Sequence, residues 1–564
     1  MENKEYMLID GNPVEINGEK NLLEVIRKAG IELPTFCYHS ELSVYGACRM
    51  CMVENSHGGM EAACSTVPKA GMEIYTNTER LHKHRKMILE LLLANHCRDC
   101  TTCQKNGKCR LQELASLFGL ESIRFKNLKP EPELDTSSLS IVRDAHKCIL
   151  CGDCVRMCNE IQNVGAIDFV NRGSKMVIGP AFNEPIANSP CVGCGQCAAV
   201  CPTGAIVIRK DTGRVWPELN DKNTKVVAQV APAVRVAMAK EFGLPENENS
   251  MGRITAALRR LGFDEVYDTA TGADLTVLEE SNEFLQRIEA GENLPLITSC
   301  CPAWIQYCEK NHPELMKNIS TCKSPMQMFS SVIKAKYATS SRRVVCVAVM
   351  PCTAKKFECA REEFMHDGVP ETDYVITTQE LIQMIHKAGI VFDELEPEAV
   401  DSVFSTCTGA GVIFGVTGGV TEAVLRRLST DKSNKALMSI AFNDVRGMKG
   451  VKETTIPYGD KEVRIAIVSG LKNAEKVIQA LKNGEHFDFI EVMACPGGCV
   501  AGGGQPFGTN ATKEVRGKAL YSADKMLSIK RSEENPLMLS LYDGVLKGRV
   551  HELLHVHYNH KEEE

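Results

Sequence analysis

Two copies of one cysteine pattern, C-x2-C-x2-C-x3-C, constrain this chain more than any other feature: CILCGDCVRMC at 148–158 and CVGCGQCAAVCP at 191–202. Thiolates at that spacing, doubled in one short module, hold two cubane [4Fe-4S] clusters, and the fourth cysteine of each run reaches across to the other cluster. The expected sets are Cys148, Cys151, Cys154 and Cys201 for one cluster, and Cys191, Cys194, Cys197 and Cys158 for the other. Zinc is the competing occupant of four-cysteine sites; the doubled run and the proline after the last cysteine weigh against it.

The chain has 26 cysteines in 564 residues. Its first residues, MENKEYMLIDGN, lack the basic start and long apolar run of a secretory signal, so a cytoplasmic location is expected. In a reducing compartment such cysteines point to metal or redox chemistry rather than disulfides. A net charge of −7 leaves no basic footprint for nucleic acid. The longest apolar run, Val344 to Met350, is far below the ~18 residues of a membrane span. A chain this long exceeds a single core and is expected to be modular.

Two further ligand sets precede the doubled motif. Cys37, Cys48, Cys51 and Cys64 form C-x10-C-x2-C-x12-C, whose spacing alone suits a [2Fe-2S] cluster or zinc. His96, Cys100, Cys103 and Cys109 form H-x3-C-x2-C-x5-C, with Cys97 a rival for the fourth position. The doubled motif resembles a bacterial two-cluster ferredoxin. The stretch GEKNLLEVIRKAGIELPTFCYHSELSVYGACRMCMVE resembles the ferredoxin-type domain at the start of iron-only hydrogenases and of the large subunit of respiratory NADH dehydrogenases. That resemblance implies [2Fe-2S] at the first set and His96 as a cluster ligand at the second. Clusters in series carry single electrons to or from a buried site.

From Lys225 onward, short β-branched runs alternate with helix-like segments: KVVAQVAP, ITAALRRLGF, LPLITSCC, RRVVCVAVMPC, VRIAIVSG, AEKVIQALKNG and FDFIEVMAC. This is an α/β pattern with largely parallel sheet. Three of the strands run into cysteine loops. Ligands of open α/β sheets bind at the carboxyl ends of strands, so Cys300-Cys301, Cys352 and Cys495 are expected to converge on one crevice. Neighbouring side chains of an extended segment point to opposite sides, so Cys300 and Cys301 should serve different ends. The proline-rich and charged stretch 126–138 reads as a linker, and a second boundary is expected between Lys210 and Asn223.

The peptides TSCCPAW (298–304), MPCTAKKFE (350–358) and EVMACPGGCVAGGGQP (491–506) together resemble the active-site signatures of [FeFe]-hydrogenases. The resemblance implies an H-cluster, a [4Fe-4S] cubane joined to a diiron unit carrying carbon monoxide, cyanide and an azadithiolate. By motif position Cys301, Cys352, Cys495 and Cys499 would hold the cubane, with Cys499 bridging. Cys300 would carry protons, a task suited to a thiol whose ordinary pKa of ~8.5 lies near neutrality. Glu280, Glu283 and Arg287, on one helical face of LEESNEFLQR, and Ser320 would continue the proton path. Lys355 would hydrogen-bond a cyanide. Met350, Met493, Ala231, Pro232 and Pro325 would line the cofactor, and the GGC and GGGQP glycines would let backbone approach it. NPLMLSLYDGVLKGRVHELLHVHY (535–558) resembles the family's small subunit, with His551, His555 and His557 read as packing or surface residues.

The expected architecture is therefore multidomain α/β. It comprises a β-grasp ferredoxin-like [2Fe-2S] module (1–79), a small His/Cys-ligated [4Fe-4S] module (80–125) and a two-cluster ferredoxin module (138–212). An α/β catalytic domain (224–515) and a small-subunit-like segment (516–564) follow. The expected activity is reversible 2H⁺ + 2e⁻ ⇌ H₂. That couple lies at roughly −410 mV at pH 7, close to the ~−400 mV of plant-type ferredoxins, so a ferredoxin-like wire is nearly isoenergetic with the chemistry. Besides hydrogen and protons, the resemblance implies ferredoxin and maturation factors as partners. The segment NHCRDCTTCQKNGKCRLQELA equally resembles subunits of nicotinamide-linked hydrogenase complexes, whose flavin and NAD(P) sites would lie on other chains because no Rossmann fingerprint is present here. A hydrogen sensor is the alternative without turnover.

Overall fold

The computed structural model describes residues 5–127, 133–429, 445–458 and 461–558. At the amino end, Glu5–Ile9 and Asn12–Ile16 form a hairpin whose first strand pairs in parallel with Glu73–Tyr75. Met52–Asn55 and Met60–Ala62 complete this five-stranded sheet. The helix Leu22–Lys28 begins where the Asn21 side chain accepts the Glu24 N–H, and it buries Leu22, Leu23, Val25 and Ile26 against the sheet. The long helix Glu79–Ala94 leads into the short Cys100–Thr102 and Arg110–Leu117 helices.

The next module has little regular structure. Two short antiparallel pairs, Ile141–Arg143 with Ile206–Ile208 and Asp168–Val170 with Val177–Gly179, flank the small helices Asp153–Arg156 and Gln196–Val200. Each helix starts at a glycine in the left-handed region, Gly152 and Gly195, within its C-x2-C-x2-C turn.

The expected linker differs from a free tether. Residues 128–132 of it lie outside the described residues, but Asp135 exchanges backbone hydrogen bonds with Arg143 and pairs with that guanidinium. Its carboxylate also accepts the Ile186 N–H at 2.9 Å. The stretch Lys210 to Asn223 likewise contains a helix, Thr212–Asn220, whose Val215 enters the core of the following sheet. An apolar Val-Trp-x-x-Leu face, unread in the sequence, carries that helix into the core.

Two four-stranded sheets organise the carboxyl half. The first is wholly parallel, in the order Glu265–Asp268, Thr224–Val230, Arg343–Met350 and Tyr374–Thr377. The second runs Leu296–Ile297, Phe489–Met493 and Lys461–Ser469 in parallel, closed by the antiparallel edge strand Val451–Tyr458. The central strands are buried on both faces, which explains their continuous rather than alternating apolar character. The helix Ala270–Ala290 packs against helix Pro325–Lys336 and spans the region between the sheets. The carboxyl-terminal helices Pro536–Asp543 and Val550–Leu554 close over that pair, burying Met538, Leu541, Leu553 and Leu554. Among the described residues no helix is long and apolar enough to cross a membrane.

Candidate active site

Three strands end at the same place. Arg343–Met350 of the first sheet delivers Pro351 and Cys352, while Leu296–Ile297 and Phe489–Met493 of the second deliver Cys300-Cys301 and Cys495. A cavity of about 70 Å³ lies at this junction. It is lined by Cys300, Cys352, Cys499 and Lys355, and by Ala231, Pro232, Pro325, Met350 and Met493. Every lining residue expected from the sequence reaches it. Thr269, Ala273, Phe414 and Gly415 also line it and were not foreseen, because their segments carry no chemistry-bearing motif, and Met326 joins its neighbour Pro325 there.

The two adjacent cysteines both pack against the cluster that holds Met493, but only Cys300 lines the cavity. Cys300 faces the cavity, whereas the Cys301 sulfur accepts the Ala494 N–H at 3.4 Å, and Pro302 then opens a helix. Cys495 accepts from Gln196 Nε2 at 3.1 Å. Burial raises the thiol pKa values of Cys352, Cys495 and Cys499, and each is raised further by its cysteine neighbours within this set. Cys352 and Cys499 line the cavity, while Cys301 and Cys495 lie beside them outside its lining. Four buried neighbouring sulfurs disfavour four separate negative charges, and iron bound to them would supply the compensating positive charge. Among the described residues no three His, Cys, Asp or Glu side chains converge on a point as a single metal ion requires, with sulfur at ~2.3 Å.

The thiol of Cys300 departs from the near-neutral value expected of it. Burial and the nearby Glu280 push it well above 9.0, so it is held as a thiol. Glu280 is fully buried, and neither carboxyl oxygen has a hydrogen-bond partner among the described residues. Burial, then Glu283, push it up to about 8. Glu283 accepts from Ser320 Oγ at 2.8 Å and from the Thr321 N–H, and it pairs with Arg287. Arg287 also donates to the carbonyls of Asn318 and Ile319 at 2.9 Å each. Cys300, Glu280, Ser320, Glu283 and Arg287 therefore lie in one neighbourhood that runs from the cavity to half-buried positions.

Lys355 Nζ donates to the Cys300 carbonyl at 3.3 Å and pairs with Glu358 at 2.7 Å. Burial opposes its charge, but Glu358 outweighs that and leaves its pKa raised. Glu358 is the buried counter-charge that sequence reading missed, although its spacing three residues after Lys355 on the helix Ala354–Glu358 was available as a signal.

Several glycines of these loops lie against backbone of other segments. A Cβ at Gly503 would meet the Cys194 carbonyl at 2.3 Å, one at Gly502 the Pro351 carbonyl at 2.2 Å, and one at Gly498 the Thr417 nitrogen at 2.6 Å. At these three positions the missing Cβ admits backbone of other segments. The effect at Gly503 is to dock the catalytic loop onto the Cys194–Gly195 turn of the ferredoxin module.

The remaining cysteine sets form a connected series. Cys148, Cys151, Cys154 and Cys201 line one small cavity. Cys158, Cys191 and Cys197 lie together beside the same module's core, with Cys194 next to both Cys197 and Cys495. Cys37 lies beside Cys48, whose N–H donates to the Cys37 sulfur at 3.3 Å, and Cys51 lies beside Cys64. Cys151 packs in the same apolar cluster as Cys37, and Arg156 donates to the Cys37 carbonyl at 2.9 Å. Cys103 abuts Gly204, close to Cys201, and Cys109 lies near Cys100 and Cys103. His96 is buried, with Nδ1 accepting the Arg98 N–H at 3.1 Å. Its rival Cys97 has its sulfur 4.0 Å from His96 Nδ1, and Lys147 lies near both Cys97 and Cys103.

Comparison with known proteins matches this arrangement. Residues 224–503 match the iron-only hydrogenase large subunit, C-terminal domain, and 510–561 the iron hydrogenase small subunit. Residues 6–79 match a 2Fe-2S iron-sulfur cluster binding domain, 85–124 the NADH-ubiquinone oxidoreductase-G iron-sulfur binding region, and 147–209 a 4Fe-4S dicluster domain. The chain is 41% identical to the NADP-reducing hydrogenase subunit HndD of Solidesulfovibrio fructosivorans, over 98% of each chain. It is 35% identical to iron hydrogenase 1 of Clostridium pasteurianum, over 98% of this chain and 99% of that one. A solved structure of a variant of [FeFe]-hydrogenase HydA1 from Chlamydomonas reinhardtii covers 62% of this chain and 98% of its own, with a TM-score of 0.54 and 37% identity. With its iron-sulfur binding modules leading to a cysteine-lined cavity between two sheets, the chain belongs to the iron-only hydrogenases and is an [FeFe]-hydrogenase.

Proposed function

We propose that this enzyme interconverts protons and hydrogen at the cavity between its two sheets, with electrons delivered through four accessory clusters. One [2Fe-2S] cluster is assigned to Cys37, Cys48, Cys51 and Cys64, and one [4Fe-4S] cluster to His96, Cys100, Cys103 and Cys109. Two more [4Fe-4S] clusters belong to the doubled motif as partitioned above. The first two sets both abut the Cys148, Cys151, Cys154 and Cys201 set, so the wire forks toward the surface and has one inner end, beside Cys194 and Cys495. The carrying observation is that one cavity gathers Cys300, Cys352, Cys499 and Lys355.

Cys301, Cys352, Cys495 and Cys499 would hold an H-cluster, which would supply the redox chemistry and the site at which hydrogen is made or split. Every other task falls to the chain. Cys300, kept as a thiol by burial, passes protons between the cavity and Glu280. Glu280, poised near neutrality, exchanges with Glu283 by way of Ser320, and Arg287 tethers Glu283 toward the outside. Lys355, held in place by Glu358, would present a fixed positive charge to an anionic cyanide of that group. Met350, Met493, Ala231, Pro232 and Pro325 exclude water.

Hydrogen evolution from dithionite-reduced methyl viologen, by anaerobically reconstituted protein supplied with the diiron unit, tests this reading. Rapid evolution is expected. Its absence despite a bound diiron infrared signature overturns it in favour of a sensor.

A second reading, that the chain is the hydrogenase subunit of an NAD(P)-linked complex, is favoured by its 41% identity to a subunit named NADP-reducing. The nucleotide and flavin sites would then belong to partner chains, and the isolated chain would reduce viologen but not NADP with hydrogen. A cytoplasmic place is inferred from the free cysteines, which suit a reducing compartment.

A further inference from the structure

Glu279 and Glu280 are adjacent on one helix yet serve different surroundings. Glu279 turns toward the carboxyl-terminal segment, where it accepts from the Tyr542 hydroxyl and lies 3.1 Å from His555 Nε2. His555 follows the helix Val550–Leu554 and is fixed by backbone pairing on both sides. The Lys323 N–H donates to Leu554 O and the Val556 N–H to Thr321 O, at 2.8 and 2.7 Å. Its second ring nitrogen, Nδ1, lies 2.9 Å from Thr321 Oγ1, and that hydroxyl lies 3.2 Å from Glu283 Oε2. An unbroken line, Glu283–Thr321–His555–Glu279, thus joins the proton path at Glu283.

A threonine hydroxyl has one hydrogen to donate and two lone pairs. When His555 carries both ring protons, Nε2–H donates to Glu279, Nδ1–H donates to Thr321, and the hydroxyl donates to Glu283. When Glu283 carries the proton, it donates to Thr321 and the hydroxyl turns its hydrogen to Nδ1. Between the two arrangements the Glu283 O–H bond breaks, an Nδ1–H bond forms, and Thr321 releases one hydrogen while accepting another. The number of protons is unchanged.

Charged and titratable groups face this branch from several sides. Burial alone would raise the Glu279 pKa, but hydrogen bonds from His555 and Tyr542 leave it lowered, and Arg427 adds to this. The His551 ring stands 4.7 Å from that of His555. The Cys322 thiol, on the paired strand, is pushed well above 9.0 by burial and by Glu280 and Glu283. Lys323 is neutralised by Glu371, and Glu552 pairs with Arg549.

We propose that His555, supplied by the small-subunit-like segment, is a proton-holding station on a side branch, exchanging one proton with Glu283 through the Thr321 hydroxyl. The proposal rests on the reading of Glu283 as part of the proton path. His555 touches no reacting atom; it is a positioning residue that acts through Glu283.

Two variants of the fully loaded enzyme test it. His555→Gln keeps a donor for Glu279 but holds no proton, and Thr321→Val removes the hydroxyl while keeping the shape. Each is expected to lower hydrogen evolution severalfold on the alkaline side of neutrality, where free protons are scarce, and to leave the acid side nearly unchanged. The double variant should be no worse than either single one. A second readout needs no turnover: in full-length protein lacking the diiron unit, the titration midpoint of isotope-labelled His555 should shift on Glu283→Gln, and this shift should vanish in a Thr321→Val background. Wild-type pH profiles in both variants, or a Glu283→Gln shift that persists without the hydroxyl, overturns the proposal. A wild-type protein without turnover would instead overturn the hydrogenase reading, while the titration still reports on the branch.

Discussion

Gln196 and Cys495 lie 299 positions apart in sequence, yet the Gln196 amide donates to the Cys495 sulfur at 3.1 Å and to the Ala501 carbonyl at 2.9 Å. Gln196 sits between Cys194 and Cys197, so one side chain links the innermost ferredoxin turn to the catalytic pocket. Hydrogen bonds to sulfur stabilise the extra electron of a reduced cluster. Gln196→Leu is expected to lower the reduction potential of the pocket cubane and slow turnover with viologen, leaving cluster content intact. Redox titration monitored by electron paramagnetic resonance checks this, and an unchanged potential would count against the role.

Cys300→Ala removes the thiol that faces both the cavity and Glu280 without belonging to the proposed cubane set. General acid–base groups contribute ~10²–10⁴-fold to rate, so turnover should fall by at least about a hundredfold. The infrared bands of the diiron unit should persist, which separates a proton-transfer defect from failed assembly.

Glu280 makes stability depend on pH. Its folded pKa, about 8, lies above the ordinary 4.5, so the folded state binds the proton more tightly than the unfolded state. The resulting stabilisation is full below about 4.5 and is lost progressively as pH rises toward 8, at up to about 1 kcal/mol per pH unit. Glu280→Gln should flatten the fall in melting temperature across that window. It should also abolish most turnover, since an amide cannot release the proton. A variant with wild-type pH dependence would show that the carboxyl is not held protonated.

Lys355 and Glu358 form a buried pair, and removing one partner strands the other. Lys355→Met is expected to destabilise the protein by about 3 to 5 kcal/mol. Adding Glu358→Gln should restore much of that loss, while neither variant regains activity. Chemical denaturation of the two variants measures the coupling; equal stability of the single and double variants would mean the pair is not coupled.

Local sequence determined the inventory of candidate ligands. The spacing of Cys148, Cys151 and Cys154 is set by a tight turn, and a turn is a local property, so candidate cluster ligands are legible without knowing what surrounds them. The parallel strands ending at Cys301, Cys352 and Cys495 were legible for a similar reason, because buried parallel strands leave continuous β-branched runs. The motifs also brought together the expected cavity lining.

Long-range packing decided the rest. Nothing beside Thr321 or His555 announces that they meet across 234 positions, and a histidine near a chain end reads as surface. The glycines of GGGQP pointed locally to close approach, but their neighbours proved to be the backbone of Pro351 and Cys194, a fact of docking rather than of spacing. The pKa of Cys300 followed the same rule: its thiol chemistry is written in the residue, while the burial and the carboxyl that push it upward exist only once the helix Ala270–Ala290 has closed over the pocket.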